Sequence, residues 1–187
     1  MASAFAKKRK GIGNVITTLI ILIASVVLVA GVVTLGGSMF QSSAQVQGIK
    51  VTNTHAWVNA NGSSVTAFAL QNIGGRMMVV DSVSVRGMQT APSTWYSCSN
   101  PAACATQQNI NTDLTTQYNP ATGVKLADGT NYAMTPGTIS LAQGQATIVY
   151  VKNAGNLSMT DLGVSYPVQI HTVDQVTSVQ QTTVLSK

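Results

Sequence analysis

The chain has 187 residues, 45% of them hydrophobic and only 8% charged, against roughly 25% charged in an average soluble domain. It has no Glu, five Asp and two His, so the groups that perform acid/base work or bind metals are scarce; an ordinary cytosolic enzyme is not expected, and neither is a cofactor. The net charge of +5 is a matter of position, because Lys7, Lys8, Arg9 and Lys10 form one run while six basic residues face five acidic ones from Lys50 onward, which is not the dispersed, aromatic-interleaved basic face of a nucleic-acid binder.

Between Lys10 and Lys50 lie 39 consecutive uncharged residues, and in the 21-residue run 15–35 the only polar side chains are Thr17, Thr18, Ser25 and Thr34. Roughly 20 such residues span a bilayer core as a helix. Inside lipid every backbone amide must be satisfied within the segment, which selects helix despite the many Val and Ile. Three readings compete: a cleaved secretory signal, a permanent signal anchor, and a leader that is trimmed while its helix is kept. A secretory signal has an apolar region of about 7 to 15 residues followed closely by a small-x-small site; this run is longer, and Ser42-Ser43-Ala44 lies well past Leu35. The basic run ahead of the helix places residues 1–10 in the cytoplasm and everything after Leu35 outside.

The order Lys7-Lys8-Arg9-Lys10-Gly11-Ile12-Gly13, continuing into Leu19-Ile20-Ile21-Leu22-Ile23-Ala24 and Val27-Leu28-Val29-Ala30, resembles the class III signal peptide and helix of archaeal type IV pilin-like proteins, the archaellins (archaeal flagellins) and adhesive pilins. The resemblance covers residues 7 to about 47. It implies a prepilin-type signal peptidase as partner and cleavage after Gly11, between Lys10-Gly11 and Ile12. Bacterial pilins usually carry Glu at the fifth mature position, where this chain has Ile16; that departure favours the archaeal relatives.

These features divide the chain into a leader (1–11), a hydrophobic assembly or transmembrane helix (12–47) and an outer domain (48–187). While the leader is attached, its charges pin the amino terminus, since drawing a charge through the bilayer centre costs several kcal/mol. Once trimmed, the helix can leave lipid only for another dry environment. Its sixteen Ala, Val, Ile and Leu side chains in 15–35 would cost tens of kcal/mol to expose, at about 1.5 to 3 kcal/mol per large group. Val15, Leu19, Ile20, Leu22, Ile23, Val27, Leu28, Ala30, Gly31 and Leu35 are the expected contacts with neighbouring copies, and Ala24, Ser25, Ala30, Gly31, Gly36 and Gly37 permit close backbone approach. In a monomeric anchor the same small residues would merely face lipid. Gly36-Gly37 is a place where the helix can bend.

From Ile49 onward, short Val/Thr/Tyr-rich segments between Asn/Gly turns indicate an all-β head. The fold class expected is therefore α+β, a long apolar helix followed by a β-sandwich; an immunoglobulin-like head is what the resemblance implies. Strands are predicted at 49–58, 64–72, 77–86, 146–152, 165–173 and 176–185, with Asn59-Ala60-Asn61-Gly62 turning the first hairpin. Alternation at Met77, Val79, Val83 and Val85 marks one apolar face, broken at Asp81. Residues 87–137 form a loop-rich insertion, expected on the outer face. Within it Cys98 and Cys104, outside the membrane by this topology, are expected to close a small disulfide loop. Asn61-Gly62-Ser63 and Asn156-Leu157-Ser158 match the N-glycosylation acceptor at turns. His55 and His171 are too few for a metal site, and Trp57 and Trp95 suit packing as well as binding.

Two function classes remain. The leading one is a structural subunit whose helices pack as a filament core and whose heads form the surface, a homo-oligomer inserted in the membrane as precursor and extracellular when mature. The other is a β module held on the cell surface by an uncleaved helix, binding through its Asn/Thr/Gln-rich loops. No nucleophile motif, phosphate loop or dinucleotide fingerprint points to an enzyme.

Overall fold

The computed structural model describes residues 3–44, 48–100, 115–174 and 176–186, with backbone alone described at 3–12 and 40–44. The chain divides into two compact units, Met1–Ala44 and Gln45–Lys187.

The first unit is one helix, α1, Ser3–Ala44, whose 42 residues extend roughly 63 Å at 1.5 Å per residue. It begins before Ile12, carrying the basic run and Gly11 within the same helical backbone. The ladder is also continuous through Gly36 and Gly37, so the loosening expected there does not interrupt it. Glycine weakens a helix by about 1 kcal/mol but still donates and accepts the i→i−4 bonds that hold the ladder.

The second unit is a strand-rich curled sheet. β1 (Ile49–Val58), β2 (Ser64–Asn72) and β10 (Ala146–Lys152) have the expected bounds, and β3 (Met78–Val85), β11 (Ser165–Thr172) and β12 (Thr177–Ser186) differ from them by one or two residues. Shorter strands are β4 (Met88–Thr90), β5 (Trp95–Cys98), β6 (Val124–Lys125), β7 (Asn131–Tyr132), β8 (Met134–Pro136) and β9 (Ser140–Leu141). Among the described residues ten strands form one sheet in the order β4-β3-β11-β12-β1-β2-β10-β5-β8, with β9 added to β3, while β6 and β7 pair separately. β12 joins the halves: it runs antiparallel to β11 from Thr177 to Thr183, then parallel to β1 at Val184, Leu185 and Ser186. The halves curl so that Val58, Phe68, Leu70 and Val149 of one share a core with Met78, Val83, Val168 and Ile170 of the other.

Residues 87–137 are not simply an outer insertion. β4, β5 and β8 extend the sheet, and Val124, Leu126 and Tyr132 pack with Trp57, Val65, Ala67, Ile148 and Tyr150 as a second core on the opposite face. That cover explains why seven consecutive residues of β2, Ser64 to Leu70, are buried, a pattern normally found in strands enclosed on both sides. Tyr150 donates its hydroxyl to the Thr115 carbonyl at 2.8 Å, and burial pushes its phenol well above the ordinary range. Both tryptophans are core residues; Trp95 is fully enclosed and donates Nε1–H to Thr90 Oγ1 at 2.7 Å.

The alternation in β3 needs one correction. Val83 and Val85 are buried as expected, but upstream the buried pair is Met78 and Val80, while Met77 is 63% exposed. Opposite β11 the register steps from Ser82 against His171 to Val80 against Thr172. Asp81 is thus an extra residue, and such a bulge switches which alternate side chains face inward.

At one end of the sheet Asp161 organises a tight cluster. Ser158 donates its N–H and hydroxyl to Asp161 Oδ2 at 2.9 and 3.0 Å, Tyr166 donates to Oδ1 at 2.7 Å, and Arg86 Nη1 donates to Oδ2 at 3.2 Å. The Arg86 guanidinium sits 4.8 Å from the Tyr166 ring centroid. The Tyr166 hydrogen bond, then the Ser158 N–H, hold the Asp161 carboxyl below the usual carboxylate range against the opposing effect of burial. Nearby Gly155 has φ +64°, and a Cβ there would meet the Val85 carbonyl oxygen at 2.8 Å.

Two predictions follow from these contacts. Gly155→Ala must strain a left-handed residue and displace backbone, so it should destabilise by several kcal/mol, whereas Gly144→Ala, at φ +74° with open space, should cost about 1 to 2 kcal/mol; urea midpoints of the detergent-solubilised chain compare them. For Asp161, whose folded pKa is depressed, the contribution to stability is complete above the unfolded value near 4 and is lost as pH falls through the folded value. Asp161→Asn should therefore lower the midpoint at pH 7 and flatten its decline in acid, leaving the dependence from Asp128, whose carboxyl is likewise held low, chiefly by the Thr130 N–H.

Candidate functional site

The site suggested by the sequence is a surface rather than a pocket. Val15, Leu19, Ile20, Leu22, Ile23, Val27, Leu28, Ala30 and Leu35 are all exposed along α1, and Gly31 is half-buried. Exposure is not confined to one stripe: Val26, Val29, Val32 and Val33 are 61–69% exposed as well, so the helix is apolar all the way round. A helix of that kind belongs in a protein core or a membrane. The 27-residue stretch Gly13–Met39 is long and apolar enough to cross a bilayer. Of Lys10, Gly11 and Ile12 only the backbone is described.

The hydroxyl side chains in this stretch are satisfied from within. Thr17 donates its hydroxyl to the Gly13 carbonyl at 2.9 Å and Thr18 to those of Asn14 and Val15 at 3.0 and 2.9 Å. Ser25 donates to Leu22 at 2.8 Å, Thr34 to Ala30 and Gly31 at 3.0 Å each, and Ser38 to Leu35 at 2.8 Å. These are short reaches to the turn just below, available to Ser and Thr in a helix. They remove the cost of burying a bare hydroxyl, roughly 1 to 3 kcal/mol in proteins. The sequence shows hydroxyls as polar interruptions; only the helix geometry shows that none needs water. Ser25, Val26, Val29, Ala30 and Val33 border a shallow groove, because the small Ser25 and Ala30 lie between larger valines. Grooves of this kind receive the ridges of a second helix.

The remaining candidates lie in the head. Cys98 is buried and disulfide-bonded; Cys104 falls outside the described residues. Asn61 sits in the β1–β2 turn, where Gly62 has φ +83°, and its Oδ1 accepts the Ser63 N–H at 2.9 Å and the Ser63 hydroxyl at 2.6 Å. Asn156 is exposed with φ +49°, and the hydroxyl of its Ser158 is already given to Asp161. His55 stacks on Trp57 with ring centroids 5.3 Å apart.

His171 lines a cleft of about 610 Å³ with Asp81, Ser82, Thr172, Val173 and Thr177. Its Nδ1 is hydrogen-bonded to Thr177 Oγ1 at 2.8 Å rather than to a carboxylate, so the cleft lacks the base-orienting pair of a nucleophilic site. Among the described residues no group of three His, Cys, Asp or Glu could hold a metal ion.

No family model matches the chain, and no curated protein matches it. Among solved structures it is similar to the Iho670 flagellar-like filament, at 13% identity and TM-score 0.38 over 91% of this chain and 98% of that one. It is also similar to the CARDB domain of the PF1109 protein from Pyrococcus furiosus, solved in complex with di-metal ions, at 9% identity and TM-score 0.34 over 76% and 97%. A third likeness, to the DNA glycosylase AlkC of Pseudomonas fluorescens, has TM-score 0.28 at 9% identity and covers 73% of this chain and 30% of that one. Likenesses this distant carry no functional weight, and the case for function rests on α1.

Two substitutions in the helix should have contrasting effects. Val27→Asp places a charge near the middle of the apolar stretch at a cost of about 2.5 to 3.5 kcal/mol and should sharply reduce the carbonate-resistant membrane fraction of the precursor. Thr34→Val replaces an internally bonded hydroxyl and should leave that fraction unchanged.

Proposed function

We propose that the chain is the structural subunit of an extracellular filament of the archaeal type IV pilin-like kind, an archaellum or adhesive pilus. The precursor stands in the membrane with residues 1–10 cytoplasmic, a prepilin-type peptidase cuts between Gly11 and Ile12, and the freed helices bundle as the filament core beneath a surface of β heads. The observation that carries this reading is the uncharged helix surface, apolar on every side and with its hydroxyls satisfied internally. Such a surface is stable against lipid or against copies of itself, where small residues allow close packing. The immunoglobulin-like character expected of the head belongs to the same reading, supported by β12 tying two sheet halves around one core.

A second reading, a surface module on an uncleaved anchor, is favoured by one feature: α1 continues unbroken from Ser3 past Gly11. Mature amino-terminal sequencing separates the two. Ile12 as first residue, with the chain recovered in sheared surface polymers, is the expected result; an intact terminus and only monomeric chain would establish the anchor. Gly11→Trp should block trimming and abolish polymer while leaving membrane insertion intact.

A further inference from the structure

We propose that the outer face of β3, β11 and β12 carries a binding site for a neutral saccharide, in the cleft that His171 lines between Asp81 and Thr177. The site lies wholly within the head, so it stands with either reading of the helix.

The strand registers build it. Val80 and Val83 both face the core, and the bulge leaves two residues, Asp81 and Ser82, between them on the outer side. Re-aiming a side chain in this way is a recurrent use of bulges beside functional sites. Ser82 stands opposite His171, and His171 opposite Thr177. These side chains therefore form one row across three strands spaced about 4.8 Å apart. The cleft along the row, of about 610 Å³, falls in the size range of small-molecule sites.

The unused polar groups of the row define the ligand. Among the described residues the exposed Asp81 carboxylate and the recessed Ser82 hydroxyl, a residue only 9% exposed, have no hydrogen-bond partner. His171 has its Nδ1 tied to Thr177 Oγ1 at 2.8 Å, which leaves Nε2 unengaged. The rim beside them is held in place: Thr172 Oγ1 accepts the Val176 N–H at 3.1 Å, and the Val173 N–H donates to the Val79 carbonyl at 3.1 Å. Polar groups ordered in advance lose less entropy on contact.

A carboxylate only accepts hydrogen bonds, whereas a serine hydroxyl and an imidazole nitrogen can donate or accept. Neighbouring sugar hydroxyls meet all three, because each is donor and acceptor at once. An anion would be repelled by Asp81. An ammonium only donates and would leave the Ser82 proton unused. One carboxylate and one imidazole also fall short of the three or four protein ligands of a metal centre. Val173, 61% exposed on the lining of the cleft, supplies an apolar surface for the C–H face of a sugar ring.

Saturation-transfer NMR on the full chain in a sugar-free zwitterionic detergent tests the site with maltose, lactose, chitobiose and mannobiose as probes. At least one should bind with a dissociation constant of about 1 mM. Asp81→Ala should weaken that binding roughly tenfold or more, the factor carried by a hydrogen bond to an ionised group, and Ser82→Ala should weaken it less. Gln181→Ala, exposed on β12 outside the cleft, should bind as wild type does. Because Asp81 has no partner to lose, its variant should keep the wild-type urea midpoint, which separates lost binding from lost folding. Absence of transfer to all of these sugars at tens of millimolar, or equal binding by Asp81→Ala and wild type, would overturn the proposal. Saturable binding of calcium or zinc ion that excludes the sugars would make the cleft a cation site and overturn it as well.

Discussion

Everything in this protein is organised around a helix that cannot be left wet. In most globular proteins an amphipathic helix turns its apolar stripe inward and its polar face outward, but the Gly13–Met39 stretch of α1 has no polar face to turn. Its valines, isoleucines and leucines are exposed around the full circumference, and its hydroxyls are spent on its own carbonyls. Whatever surrounds this helix must therefore be apolar on all sides. Hydrocarbon meets that condition directly, and a bundle of identical helices meets it with better packing, because Ala24, Ala30 and Gly31 let backbones approach.

The head closes a core of its own, with Phe68, Leu70, Val149 and Ile170 fully buried. A second small core backs β1, β2 and β10. With so few charges, it relies on geometry to avoid unwanted strand pairing. The outermost strands, β4 and β8, have three residues each, and short edges offer little backbone to a passing chain. One ion pair, Arg86 with Asp161, joins segments 75 residues apart in sequence.

Legibility in the sequence followed the range of the interactions involved. β1, β2 and β10 could be read because each carries a local run of strand-forming residues ended by turn residues, with Asn61-Gly62 supplying the positive φ between the first two. The inward face of β3 could not be read in full, since the bulge at Asp81 is a backbone event set by pairing with His171 and Thr172 about 90 residues later. The 87–137 interval looked like loop because strands of two to four residues carry no periodicity. What holds them is the apolar back of β2 and β10, invisible until the sheet exists.

The sequence by itself determined the helix, its need for a dry environment and the order of helix then β head, because an uncharged run of 39 residues imposes its solvent requirement without reference to any other segment. Only the tertiary structure decided which side chains face the two cores and how β12 binds the sheet halves together. Those depend on register, and register is a property of pairs such as Ile49 with Asn72 and Val80 with Thr172, which no single stretch of chain contains.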